Sequence, residues 1–181
     1  MTKLRLMEPH TIMQGNRPLP LERELHFEKS DIIVSKTDTK GRITYGNEIF
    51  IRLSGYSEEE LLGKPHNIVR HPDMPRTIFK ILWDSLKEKR EIFAYVKNLS
   101  KEGSYYWVLA NITPSFNGKR EIVGYHSMRR SPSPQALEPI KALYAELLEC
   151  EKQGGIESGM NRLQEILQSK GMSYEQYVLS L

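Results

Sequence analysis

The stretch from Glu91 to Arg130 constrains the fold of this chain more than any other. Glu91–Ser100 carries Ile92, Phe93, Tyr95 and Val96, and Lys101-Glu-Gly103 supplies a glycine-containing turn. Ser104–Phe116 is a long aromatic run, and Asn117-Gly118 is the strongest short hairpin signal in the sequence. Arg120–Arg130, with Ile122, Val123, Tyr125 and Met128, completes three strands joined by hairpins, which pair antiparallel. A sheet of this kind buries one face against a second layer.

The second layer is written upstream. Asp31–Thr37 is a β-branched run suited to a buried strand; Asp38–Gly41 turns the chain, and Arg42–Tyr45 returns as a second strand. Asn47 is a good N-cap for a short helix with Phe50, Ile51 and Leu53 behind it, ended by Gly55. Ser57 and Glu60 form a capping box for another, stopped by Gly63. From Pro75 to Lys87 the apolar residues Ile78, Leu82 and Leu86 recur at helical spacing, with Phe79 and Trp83 beside them. The order is strand, strand, short helices, three strands. The fold class is α+β, one five-stranded antiparallel sheet with the helices segregated to one face.

Flanking segments are simpler. Residues 1–30 hold no period and read as an arm or cap, with a short helical turn at Arg23–Phe27 as one option. Residues 31–130 form the domain, and Ser131-Pro-Ser-Pro134 acts as a linker. In residues 135–181, Leu137, Ile140, Leu143, Tyr144 and Leu147 mark one helix. Gly154-Gly155 separates it from a second, and Ser173 with Gln176 caps a third. These stripes need cover from the sheet, another helix or a partner, and a homodimer through Leu137–Leu147 is one such arrangement.

Between the second short helix and the next lies the densest chemistry. Gly63–Trp83 holds two His, two Arg, two Lys, one Asp, one Asn and three Pro among apolar residues. A short irregular segment that lines a pocket and meets a charged ligand has this composition; a proline-stiffened surface loop is the plainer reading.

Totals exclude several classes. A net charge of +3 without a Lys/Arg block gives no footprint for nucleic acid. The apolar runs fall far short of the roughly 20 residues needed to cross a bilayer, and the N-terminus lacks a secretory apolar core. A single cysteine, Cys150, forms no internal disulfide. A cytoplasmic location is expected, with recruitment to the inner membrane only through a partner.

Asp38–Asn47, Leu53–Gly63 and Lys101–Trp107 resemble the entry and late hairpin of a PAS domain. More narrowly, His66-Asn-Ile-Val-Arg-His-Pro-Asp-Met-Pro75 is very similar to the FAD-binding PAS domain of bacterial aerotaxis receptors. Val96-Lys-Asn98, Tyr106–Asn111 and Pro139–Tyr144 extend the match over roughly residues 22–147. The resemblance implies a noncovalently held FAD whose redox state reports oxygen or electron transport to chemotaxis signalling. Unlike the full receptor, this sequence shows no membrane helix, HAMP segment or long signalling hairpin. It therefore fits a split arrangement in which a separate membrane chemoreceptor or other signalling protein is the partner.

The resemblance places Arg70, His71 and Asp73 at positions implicated in FAD binding, and Asn47 and Trp83 at further pocket positions. Arg70 has a planar fork suited to a pyrophosphate; a surface ion pair with Asp73 or Glu59 is the plainer role. His71 either donates to the ligand or fixes the loop before Pro72. Asp73 suits orienting Arg70 or His71, or accepting from a ribose hydroxyl. Trp83 either stacks on the ligand or belongs to the core. Asn98 and Asn111 are expected to read the polar edge of the flavin ring. His126 falls near the flavin-facing Gln of light-sensing PAS domains. Those photoreceptors attack the flavin with a Cys, but His66 occupies that position here, so no photochemical adduct is expected. Two readings compete: a haem-binding gas sensor using His66 or His71 as axial ligand, and a cofactor-free interaction module. A flavoenzyme lacks support, since no second cofactor fingerprint is present.

Overall fold

A computed structural model describes residues 13–14 and 17–181. A two-residue ladder, β1 (Met13–Gln14) with β2 (Arg17–Pro18), precedes the domain. Residues 1–12 of the expected arm lie outside the described residues. Residues 21–25 run extended beside the later sheet, with Leu21 N–H donating to Gly103 O and Leu25 N–H to Tyr105 O. The optional helical turn at Arg23–Phe27 is therefore corrected: Arg23 O and the Leu25 N–H pair with the backbone of Tyr105 instead.

The main sheet contains β3 (Ile33–Thr37), β4 (Ile43–Gly46), β5 (Ile92–Leu99), β6 (Tyr105–Phe116) and β7 (Ile122–Arg130), in the order β4-β3-β7-β6-β5. All neighbours are antiparallel. The hairpin after β6 forms where Asn117-Gly118 places it, but as a longer loop. Asn117 Oδ1 accepts from the N–H groups of Lys119 and Glu121, and Arg120, not glycine, takes the positive φ of 60°.

The helices on this face are α1 (Glu48–Ser54), α2 (Glu58–Leu61) and α3 (Arg76–Lys87), of which α1 and α2 are capped as their sequences require. Asn47 accepts from Phe50 N–H, Gly55 closes α1 in the left-handed region, and Ser57 with Glu60 completes the capping box. A 3-10 turn, His66–Val69, leads into the loop before α3. Phe50, Leu61, Val69, Met74, Ile78 and Leu86 pack with Ile33, Ala94, Tyr106 and Val108 in one core.

The C-terminal region covers the opposite side of the sheet. α4 (Pro134–Lys170) is interrupted by non-helical geometry at Gly154 and Gly155, so it consists of the two expected helices. The second half folds back, because Arg162 Nε reaches Glu146 Oε1 at 2.6 Å across 16 residues. A straight helix would hold those positions about 24 Å apart along its axis. Tyr144 donates to Tyr95 O at 2.6 Å and packs beside Trp107. Leu137, Ile140, Leu143, Tyr144 and Leu147 are all buried against the same chain. The apolar face that the sequence left open to a homodimer is thus covered within the chain. α5 (Tyr174–Leu179) buries Tyr174, Tyr177 and Val178 and packs on β5.

One contact ties the C-terminal helices to α3. Pro75 offers no capping side chain, and Glu151 of α4 supplies the missing acceptor. It accepts from Arg76 N–H at 3.0 Å, Thr77 N–H at 2.7 Å and Thr77 Oγ1 at 2.7 Å. Gly159 lies so close that a Cβ there would sit 2.2 Å from Thr77 Oγ1. Replacing Glu151 by Ala is expected to destabilise the protein by about 1–2 kcal/mol, the range for losing an N-terminal cap. Urea unfolding checks this through a lower midpoint at unchanged slope.

Candidate ligand cavity

Between α3, the 3-10 turn and the inner face of the sheet lies a cavity of about 270 Å³. That lies just below the roughly 300–1,000 Å³ of typical small-molecule sites. Its walls are apolar: Val69, Phe79, Leu82, Leu86, Val96 and Ile112. Three polar residues of its wall, Ser35, Asn98 and Arg129, are all within 3% of full burial. Lys40 and Asn67, both exposed, stand at the mouth.

Strand alternation decides which residues reach this space. On β5, Val96 and Asn98 face inward; on β7, Tyr125, Ser127 and Arg129 do. Asn98 pairs with Tyr106, and its Nδ2 is buried without a hydrogen-bond partner in the protein. Leaving such a donor unmet costs about 1–3 kcal/mol, so an acceptor on a ligand would satisfy it. Arg129 donates to Ser35 Oγ, stacks 4.8 Å from the Phe50 ring centroid, and has a buried Nε with no partner. No carboxylate among the described residues forms an ion pair with it. Burial lowers its pKa to about 10, which leaves it charged at neutral pH.

His66 completes this inner group. Its Nε2 is 2.8 Å from Ser35 Oγ, and its ring stacks on Phe50. The guanidinium can only donate to Ser35, so the serine hydrogen is available for Nε2 of a neutral imidazole. Burial first, and the Arg129 charge second, push its pKa down to about 3.

Arg70 and Trp83 also line the cavity, as expected. Arg70 Nη2 donates to Met74 O at 3.1 Å, and its guanidinium lies 4.0 Å from the Phe79 centroid. Trp83 meets Tyr125 edge-on, with Gly41 packed against its ring.

Five expected site residues lie elsewhere. Asn47 is spent on structure, accepting from Val34 and Phe50 N–H and donating to Ile32 O. His71 faces Tyr105 and accepts from Asp73 N–H at 3.1 Å, which is the loop-fixing role. Asp73 pairs with Lys97 at 2.7 Å outside the cavity. Asn111 pairs with Phe93, an odd number of residues from Asn98, so it faces the other side and donates to Glu91. His126 sits between the inward residues Tyr125 and Ser127, so it too points outward. Sequence reasoning passed over Ser35, Ser127 and Arg129; taking Tyr125 as inward and counting by two finds the latter pair.

Residues 43–129 match the family described as "PAS fold". The chain carries a PAS domain over this stretch. It is 40% identical over 133 residues to the aerotaxis receptor of Escherichia coli (strain K12), covering 74% of this chain and 26% of the receptor. It is 31% identical over 106 residues to the nitrogen fixation regulatory protein of Klebsiella pneumoniae, covering 59% of this chain and 21% of the regulator. The chain thus spans about a quarter or less of these relatives. Two solved structures share the fold. One, described as "Flavin Analogue Sheds Light on Light-Oxygen-Voltage Domain Mechanism", superposes with a TM-score of 0.56 at 19% identity, covering 61% of this chain and 84% of that one. The other, the dark structure of the blue-light photoreceptor Aureochrome1 LOV, gives 0.52 at 24%, covering 67% and 84%. Among the described residues no helix is long and apolar enough to cross a membrane.

Two histidines of this PAS domain, His66 half-buried and His71 buried, make a pH prediction. The pKa of His71 is pushed down to about 4, by burial and then by Lys97, against an opposing pull from Asp73. Both rings stay neutral in the fold while the unfolded chain takes up protons below about 6.5. Stability is therefore full above that pH and declines as pH falls. Each histidine contributes a slope of at most about 1.4 kcal/mol per pH unit, ending near pH 4 for His71 and near pH 3 for His66. Urea midpoints measured from pH 7 to pH 4.5 check this.

Proposed function

We propose that this chain is a flavin-binding PAS sensor, holding FAD and reporting redox state or oxygen to a separate signalling partner rather than catalysing a reaction. The observation that carries the reading is the unmet Asn98 amide, buried in the wall of a largely apolar cavity that Arg129 also lines. A flavin ring is flat and apolar with one edge of alternating acceptors and donors, and that edge suits Asn98, Ser127 and Arg129. Arg70 and Lys40 would hold the pyrophosphate at the mouth. When bound, the flavin supplies a reversible electron-accepting centre; the chain's residues bind and orient it. The relationship to an aerotaxis receptor supports the assignment to energy taxis. A membrane chemoreceptor is the proposed partner, and a cytoplasmic location with recruitment to the inner membrane through that partner follows.

The route outward is α3. Phe79, Leu82, Trp83 and Leu86 of α3 form a cavity wall, while Thr77 at its start is held by Glu151. A ligand state that shifts α3 alters that hold, and signalling requires the two redox states to favour different conformations. The haem alternative is weakened because His71 points away from the cavity and the Nε2 of His66 is engaged by Ser35.

The visible spectrum of purified protein, with the released cofactor identified by mass, tests the reading. Two bands in the blue and near-ultraviolet and the mass of FAD are expected. A single Soret band, or a colourless protein that takes up no added flavin, contradicts it. Asn98→Leu is expected to weaken flavin retention at least about tenfold, a loss of about 1.4 kcal/mol. Asn111→Leu, on the opposite face, is expected to leave retention unchanged.

A further inference from the structure

We propose that Arg129 is the charge-sensing residue of the cavity: a buried, carboxylate-free guanidinium that binds the negative charge a flavin ring gains on reduction. This rests on the flavin reading and goes beyond it, since it names the group that distinguishes the two redox states.

The argument begins with what Arg129 lacks. A guanidinium this deep normally has an acidic partner, because burying an unpaired charge is costly. Arg129 is 3% exposed, and its surroundings are a serine hydroxyl, the face of Phe50, and the unpartnered hydroxyl of Tyr106. None of these is an anion. His66, which shares Ser35 with it, is kept neutral by burial and by the Arg129 charge itself, so it brings no second charge. The protein thus keeps an unneutralised positive charge on the cavity wall, which also carries an Asn98 amide that lacks an acceptor. Buried donors of this kind lining one cavity describe a seat for electron-rich oxygen or nitrogen.

The charge balance on the ligand then matters. An oxidised flavin ring is neutral. Two electrons from a reduced electron carrier, with one proton from solvent bound at one ring nitrogen, leave the ring with one net negative charge. A fixed cation in a dry site interacts with that charge far more strongly than in water. Reduced flavin is therefore held more tightly than oxidised flavin. This difference is the differential affinity that a two-state switch requires. It also fixes the direction of the shift: Arg129 raises the midpoint potential of the bound flavin.

Two measurements decide this. The first is the midpoint potential of bound flavin in the wild-type protein, Arg129→Lys and Arg129→Met, against free flavin in the same buffer. The wild type is expected above free flavin and Arg129→Lys near the wild type. Arg129→Met is expected lower by at least a tenfold change in the ratio of reduced to oxidised affinity, about 30 mV for a two-electron couple. A wild-type potential at or below that of free flavin overturns the proposal while the flavin reading stands. So does an unchanged potential in Arg129→Met. A wild type that binds no flavin overturns the underlying reading as well.

The second measurement needs no bound flavin. In flavin-free protein, Arg129→Met is expected to unfold at a higher urea concentration than wild type, because it removes an uncompensated buried charge while keeping the apolar stem. A lower midpoint would show that Arg129 serves the packing of Phe50 and Ser35, and would overturn the proposal even if the variant loses flavin.

Discussion

The pairing register of β5, β6 and β7 is the constraint on which the rest of this structure depends. Side chains alternate across a strand, so a slip of one residue exchanges the two faces. With Asn98 opposite Tyr106 and Ser127 opposite Ile112, the inner face receives Val96, Asn98, Ala110, Ile112, Ser127 and Arg129. The outer face receives Tyr95, Trp107 and their neighbours, and these become the seat of Tyr144. One register therefore produces both the cavity and the docking surface for the C-terminal helices.

That division gives the cavity its polarity. Apolar residues from α3 and the sheet form much of the wall, while Ser35, Asn98 and Arg129 bring buried hydrogen-bonding groups to it. The chain Arg129–Ser35–His66 is satisfied in one direction only, with arginine donating and imidazole accepting. It leaves one amide donor and one guanidinium donor without partners in the protein. Native cores pair nearly all their buried polar atoms, and these two exceptions belong to residues that line the same cavity.

Much of the fold could be read from the sequence because its signals are local. Asn47, Gly55, and Ser57 with Glu60 act within one turn of their helices, and each performs its expected job. Gly154-Gly155 breaks α4 where the apolar spacing resets. The site was less legible because facing is not local. Asn111 and His126, expected from the resemblance to face a ligand, each sit one residue out of step with the cavity-lining positions of their strands. His71 and Asp73 resemble ligands in sequence but brace the loop against β5, through His71 N–H to Lys97 O and Asp73 to Lys97 Nζ. Arg129 drew no attention because it stands next to an exposed Arg130, and only the sheet shows that one is inside and the other in solvent.

A crystal structure of the protein carrying its purified or added flavin tests the central claim most directly. The account predicts the ring between α3 and the sheet, with its polar edge on Asn98 Nδ2 and the Arg129 guanidinium and its phosphates toward Lys40 and Arg70. A ring bound on the outer face, or one seated with its polar edge at the mouth and no contact to Arg129, would contradict it.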